Sequence, residues 1–214
     1  MGESSSINSS DDYVGLFRRL EGARIEDVVL ENVNVIGGNK VGGLAGETYD
    51  SYVRSSVSGN VIGNKNIGAL IGESNFSTIE NSFSKENVIS GGDIAGGLVG
   101  LSNRSNIENS YAVADVVGGG NFAGGLVGRS THSTITNTFS VGRIVGRVHT
   151  GGLVGQSIGT DIINSYYNKN SSGQSDSNKG EPKTTEELKE KSTYQDWDFQ
   201  NTWNINEGDY PFLR

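Results

Sequence analysis

Cysteine is absent from the 214 residues, which excludes a disulfide framework and any thiolate metal site and leaves packing and hydrogen bonds to hold the fold. Proline is nearly absent, with two residues against 32 glycines. That combination argues against a disordered Pro/Gly-rich chain and for many tight turns between short strands. Positive charge is scarce as well: 17 Lys and Arg stand against 25 Asp and Glu, a net charge of −8. Nucleic acid and anionic lipid surfaces both call for basic side chains, so neither is an expected partner. No apolar run approaches the roughly 18 residues of a membrane-crossing helix, and membrane insertion is not expected. The opening Met1-Gly2-Glu3-Ser4-Ser5-Ser6 has no charged-then-apolar export pattern. The chain therefore reads as a mature or excised part of a longer polypeptide.

What is present is an internal repeat. A leucine recurs every 26 to 28 residues, as Leu16, Leu44, Leu70, Leu98, Leu126 and Leu153, mostly inside Gly-Leu-Val-Gly or a close variant. Nine positions on stands a second apolar column, Ile25, Val53, Ile79, Ile107, Ile135 and Ile162. A polar column follows (Asp27, Ser55, Asn81, Asn109, Asn137, Asn164), then a mostly small one (Val28, Ser56, Ser82, Ser110, Thr138, Ser165), then Val29, Val57, Phe83, Tyr111, Phe139 and Tyr166. A third apolar pair comes later in the unit: Val33 with Val35, Val61-Ile62, Val88-Ile89, Val116-Val117 and Ile144-Val145.

Units this short cannot house a helix pair, and each exposes its apolar positions unless it stacks on a copy of itself. The fold class is therefore all-β: a parallel β-helix, or β-solenoid, of about six coils. It is expected to be right-handed, because left-handed coils usually follow a six-residue period that 26 to 28 residues does not fit. The Asn column can form an amide ladder if it turns inward at a corner, and stacking predicts ring-on-ring contact along the Phe/Tyr column. The repeated glycines point to corners of positive φ or to places where no Cβ fits.

The register is expected to stop after Tyr166-Tyr167. Residues 1–12 read as a disordered leader, 13–167 as the solenoid, 168–183 as a polar linker and 184–214 as a cap. In the cap, Thr184 and Glu187 form a capping-box pattern that predicts a short helix over 184–191. The aromatics Tyr194, Trp197, Phe199, Trp203, Tyr210 and Phe212 follow. An open solenoid end needs cover, and this segment is expected to supply it, with a binding platform as the other reading.

Gly97-Leu98-Val99-Gly100 followed by Ile107-Glu108-Asn109-Ser110-Tyr111 resembles the GLUG repeat of bacterial and archaeal surface proteins, some of them IgA-specific metallopeptidases. The opening unit, Gly15-Leu16-Phe17 to Val33-Asn34-Val35, and the ending, Trp197-Asp198-Phe199 through Tyr210-Pro211-Phe212-Leu213, are similar to the ends of such arrays. The resemblance covers about residues 13–214, departs at Ala69, Asp27 and Ser55, and implies a secreted or cell-surface parallel β-helix with no defined ligand. Protease activity does not come with it, since the His-Glu-x-x-His zinc motif is missing: His132 precedes Ser133, and His149 precedes Thr150.

The expected function is thus a non-catalytic adhesin-type rod for binding or display, with no catalytic, metal or cofactor residues and a host or neighbouring-cell protein or glycan as partner. The variable segments 37–41, 63–67, 91–95, 119–123 and 146–150 fall at one place in each coil and would line one edge. A polysaccharide lyase or glycosidase on the same scaffold is the alternative, and a pure spacer within a larger secreted protein is another. Carboxylate chemistry would need acids converging on one groove. Asp93 and Asp115 instead sit at different coil positions, and Asp161 has Thr134, Asn106 and Thr78 as its counterparts.

Overall fold

The computed structural model describes residues 6–85, 88–90 and 92–214, with residues 88–90 as backbone only. The first five residues of the expected leader, Gly91 of the 91–95 segment and the side chains of Val88 and Ile89 lie outside the described residues. The chain winds as a β-solenoid of six coils whose strands pair in parallel with the coils above and below. Three sheets run along it. One has six strands, from Phe17–Glu21 through Ala45–Tyr49, Ile71–Asn75, Val99–Asn103 and Val127–Thr131 to Val154–Ile158. A second has five, from Asn39–Val41 to His149–Gly151, and the third and largest has 15.

Leucines at equivalent positions lie over one another, joined by backbone bonds: Leu70 N donates to Leu98 O at 3.0 Å and Leu98 N to Leu126 O at 2.9 Å. From Leu44 to Leu153 this column is fully buried, and so are Val53, Ile79, Ile107 and Ile135 in the next one. Each such side chain contributes about 1.5–3 kcal/mol on burial. Both columns weaken in the first coil, where Leu16 is 51% exposed and Ile25 half-buried, because no full coil stacks outside them. The third apolar pair is Val35-Ile36 in coil 1, aligned with Val61-Ile62. Val33 faces Gly59 and is not part of that pair.

The glycines next to the leucines serve close approach. At Gly96 a Cβ would lie 2.0 Å from Val99 O and 2.6 Å from Gly128 N. Positive φ falls on the Asn column, with Asn81 at 47°, Asn109 at 45°, Asn137 at 52° and Asn164 at 45°. Asparagine tolerates that conformation better than most side chains. These residues are half-buried corners and do not form an inward ladder. One long amide contact links two of them, from Asn137 Nδ2 to Asn109 Oδ1 at 3.4 Å.

Serine supplies the polar ladder instead. Ser51, Ser77, Ser105 and Ser133 lie in one column, each hydroxyl accepting the backbone N–H of the column residue one coil earlier at 3.1–3.2 Å. Each also donates to the carbonyl two residues before it. A buried row on the adjoining strand joins in: Ser74 donates to Ser105 Oγ at 3.0 Å and Ser102 to Ser133 Oγ at 3.1 Å.

The two ends depart from expectation. Ser6–Asn8, inside the expected leader, is a strand paired with residues 34–36. The expected polar linker holds a helical turn, Lys169–Ser172, and a strand, Glu181–Lys183, that pairs with Tyr166–Asn168 and so continues the stack. Residues 174–180 close the last coil. There Lys179 Nζ donates to Thr150 O at 3.1 Å and Gly155 O at 2.9 Å, Gly152 N donates to Asp176 Oδ1 at 3.3 Å, and Gly180 packs on Leu153.

The aromatic extension is a lateral clasp and not an end cap. Its Leu188, Tyr194, Trp197 and Trp203 bury themselves with Tyr111, Phe139 and Tyr166 of coils 4, 5 and 6. Trp197 Nε1 donates to Asn164 O at 2.9 Å, and Trp203 Nε1 reaches Asn109 Oδ1 at 3.4 Å. The capping-box bonds of Thr184 and Glu187 are both made. They start two single 3₁₀ turns, Glu187–Lys189 and Lys191–Thr193, in place of the expected helix. Glu190 between them is extended, with φ −104° and ψ 124°, which interrupts any longer helix.

Candidate functional site

The second coil is one residue short on the aromatic face, and the fold shows where. Opposite Asp27 and Asn81, both at positive φ, coil 2 has no corner residue. Its strand Tyr52–Gly63 runs straight through, and the register skips Asp27. Consequently Ser55 pairs with Val28, while Ser56 pairs with both Val29 and Phe83. Ser56, not Val57, occupies the aromatic column, and Ser55 is not a member of the Asn column. Val57 turns into the core instead.

Along that column the rings stack face to face: Phe83 on Tyr111 at 4.9 Å and 3°, and Tyr111 on Phe139 at 5.0 Å and 10°. The stack ends at Phe83, because a serine follows where the next ring would stand. This leaves a cleft of about 490 Å³ floored by Ser55 and Ser56, walled by Phe83, Asn81, Val29 and Arg54, and roofed by Thr202, Leu213 and Arg214 of the clasp. Val29 is 65% exposed. Arg54 Nη2 bonds Asp27 Oδ2 at 3.0 Å and lies 3.4 Å from Glu26 Oε1. Arg54 Nε, Ser55 Oγ and Asn81 Oδ1 are buried and have no hydrogen-bond partner among the described residues. None of these residues was singled out as a site from sequence. The readable signal was the short 26-residue step from Leu44 to Leu70.

The variable segments expected to line one edge do run together: each begins as a bend, at 37–38, 64, 92–93, 119–121 and 146–148, and continues into a strand. Asn39–Val41, Lys65–Gly68, Ile94–Gly96, Phe122–Gly124 and His149–Gly151 form the five-stranded sheet. One of its columns changes at every coil, from Lys40 through Asn66, Ile94 and Phe122 to His149; Lys40, Phe122 and His149 reach solvent, whereas Asn66 and Ile94 are buried. In the early coils Lys40 Nζ bridges Glu47 at 2.9 Å and Glu73 at 3.3 Å. Burial works against the Lys40 ammonium, yet its bond to Glu47 and the charges of Glu73 and Glu47 outweigh that and raise its pKa. In the late coils His149 stacks on Phe122 at 5.2 Å and 5°, with the Arg129 guanidinium 5.4 Å from the Phe122 ring.

The acids considered from sequence do not converge. Asp93 Oδ1 accepts from the Asn121 amide at 2.5 Å, and Asp115 Oδ1 accepts from Arg143 N at 2.7 Å, each tying its coil to the next. Asp161 pairs with Thr134 in the column that continues to Asn106 and Thr78. His132 is an exposed corner residue at φ 49°. Among the described residues, no three His, Asp or Glu side chains stand together as a metal site. Burial raises the pKa of Tyr111 and Tyr194 well above the ordinary tyrosine value, so both hydroxyls stay neutral.

No family model matches the chain, and no solved structure matches it. Over 72 residues it is 40% identical to a protein of Evansella cellulosilytica described as a Gly-rich membrane protein. The match covers 31% of this chain and 8% of that protein. No helix among the described residues is long and apolar enough to cross a membrane.

Proposed function

We propose that this chain is a non-catalytic extracellular module of the GLUG-repeat type, a rod that binds or displays at a cell surface. One observation carries the reading: the interior columns repeat from coil to coil, while the column Lys40, Asn66, Ile94, Phe122 and His149 changes at every step, with Lys40, Phe122 and His149 reaching solvent and Asn66 and Ile94 buried between them. A scaffold that holds its core constant and varies its face suits recognition. The resemblance of the repeat units points the same way. The expected partner is a protein or glycan of a host or neighbouring cell.

A polysaccharide lyase or glycosidase is favoured only by the stacked carboxylates of Glu47 and Glu73. Their oxygens are already engaged by Lys40, Asn66 and Asn75, so they are poorly placed to receive a substrate. The full chain, fluorescently labelled, is expected to be retained on cells or cell envelopes in a sedimentation assay. It is also expected to leave a panel of polysaccharides uncleaved with and without Ca²⁺. Turnover above a heat-killed control would replace this reading with an enzymatic one, and absence of retention on any surface would leave only the spacer.

A further inference from the structure

We infer that the cleft at the second coil is a saccharide-binding site, taking one pyranose unit of a glycan against the Ser56-side face of Phe83. The inference rests on the surface-binding reading and names its ligand class. Aromatic faces bind the C–H face of sugar rings because stacking removes apolar surface from water while the ring's hydroxyls keep their polar partners at the edge. Phe83 is the last ring of a ladder. One face is covered by Tyr111 at 4.9 Å, its column neighbour on the other side is Ser56, whose side chain is too small to cover a ring, and the exposed Lys85 holds its Nζ 5.2 Å from the ring centre.

The polar partners are in place around that face. Arg54 Nε is a donor, Asn81 Oδ1 an acceptor and Ser55 Oγ either, and all three are buried without a partner among the described residues. Buried polar atoms are nearly always hydrogen-bonded to protein or water, and three such atoms sharing one cleft suit a ligand rich in both donors and acceptors, although Asn137 Oδ1, at the counterpart of Asn81, is in the same state away from it. A sugar has that chemistry. A simple anion does not fit as well, since Arg54 already bonds Asp27 and Arg214 spends its guanidinium on Trp203 O and Phe199 O at 3.2 Å. At about 490 Å³ the cleft lies within the ~300–1,000 Å³ of small-ligand sites.

The Lys40–Glu47–Glu73 cluster satisfies itself, and the uncovered first coil offers an apolar face with nothing to define its occupant.

Ser56→Phe is the decisive variant. It extends the ring ladder by one step, fills the cleft and leaves the core columns untouched. The full chain is titrated by calorimetry with tetrasaccharides of glucose, galactose, mannose and N-acetylglucosamine, in α and β linkage. At least one is expected to bind wild type with a Kd of about 1 mM or tighter, and Ser56→Phe to weaken it at least about tenfold. Thermal unfolding of the variant is expected at or above the wild-type midpoint, and Phe83→Leu, which keeps packing but removes the ring, is expected to weaken binding similarly. No binding by any tetrasaccharide, or equal binding by Ser56→Phe, overturns the inference. Retention of Ser56→Phe on cells at wild-type level alongside lost sugar binding would assign the sugar to this cleft and the cell contact to another face. If wild type binds sugar but no cell, the surface-binding reading falls while the cleft stands.

Discussion

At the scale of single residues, small side chains do the most demanding work. Ser105 Oγ accepts Ser77 N at 3.1 Å and the Ser74 hydroxyl at 3.0 Å, and donates to Asn103 O at 3.2 Å, all at a fully covered position. Ser105→Ala strands two buried donors and is expected to cost about 1–3 kcal/mol. Urea unfolding midpoints measure it, and a change near zero would mean the ladder is ornamental. Glycine positions divide in the same way. Gly96→Ala drives a Cβ onto the backbone of Val99 and Gly128, which neither partner can yield without unstacking a coil, so the folded yield is expected to collapse. Gly22→Ala, at φ +58° with open space around it, is expected to cost only about 1–2 kcal/mol for its left-handed backbone.

Among the elements, the clasp is the separable one. Its rings bury against coils 4 to 6, but its turns are fastened by exposed carboxylates. The Thr184 backbone N–H holds the Glu187 carboxyl below its ordinary pKa, and the Asn201 side-chain amide, with the backbone N–H groups of Asn201 and Gln200, does the same for Asp198. A depressed folded pKa means a stabilising contribution that is complete above the unfolded value, about 4, and is lost as pH falls through the folded one. Acid is therefore expected to loosen the clasp first. Emission from Trp197 and Trp203 should shift as pH falls below about 4 while the far-ultraviolet signal of the coils persists, and coincident transitions would show that the two unfold as one. Trp203→Ala, removing the largest fully buried side chain, is expected to cost about 3–5 kcal/mol and to give the same emission change at neutral pH.

For the whole molecule, stability is a sum over neighbouring coils, and the outermost ones have half the contacts. The last coil is covered by residues 174–180, whereas Leu16 and Val29 of the first are exposed. Amide exchange is expected to be fastest in Phe17–Glu21 and slowest near Leu98 and Ile107, and uniform protection would contradict a stack that opens from one side. The repeat made the stack legible because the Leu and Ile columns have one physical use, burial between coils. The Asn column was ambiguous, since asparagine serves both ladders and positive-φ corners, and only the backbone decides. Residues 168–183 misled through composition: Lys179 and Asp176 are polar side chains whose partners are backbone groups of coil 6, which sequence does not display. The cleft comes from a residue missing between Arg54 and Ser55, which shows in the sequence only as the 26-residue step from Leu44 to Leu70.

The lateral path of the clasp sets a ruler on the array. Its tryptophans need three consecutive rings, Tyr111, Phe139 and Tyr166, to be seated, so a gene rearrangement that shortened the rod below three units would strip the tail of its berth. Duplications on the far side of that triplet would lengthen the rod and leave its closing half unchanged. Growth and loss of units are thereby made unequal, with a floor fixed by about thirty residues at one terminus.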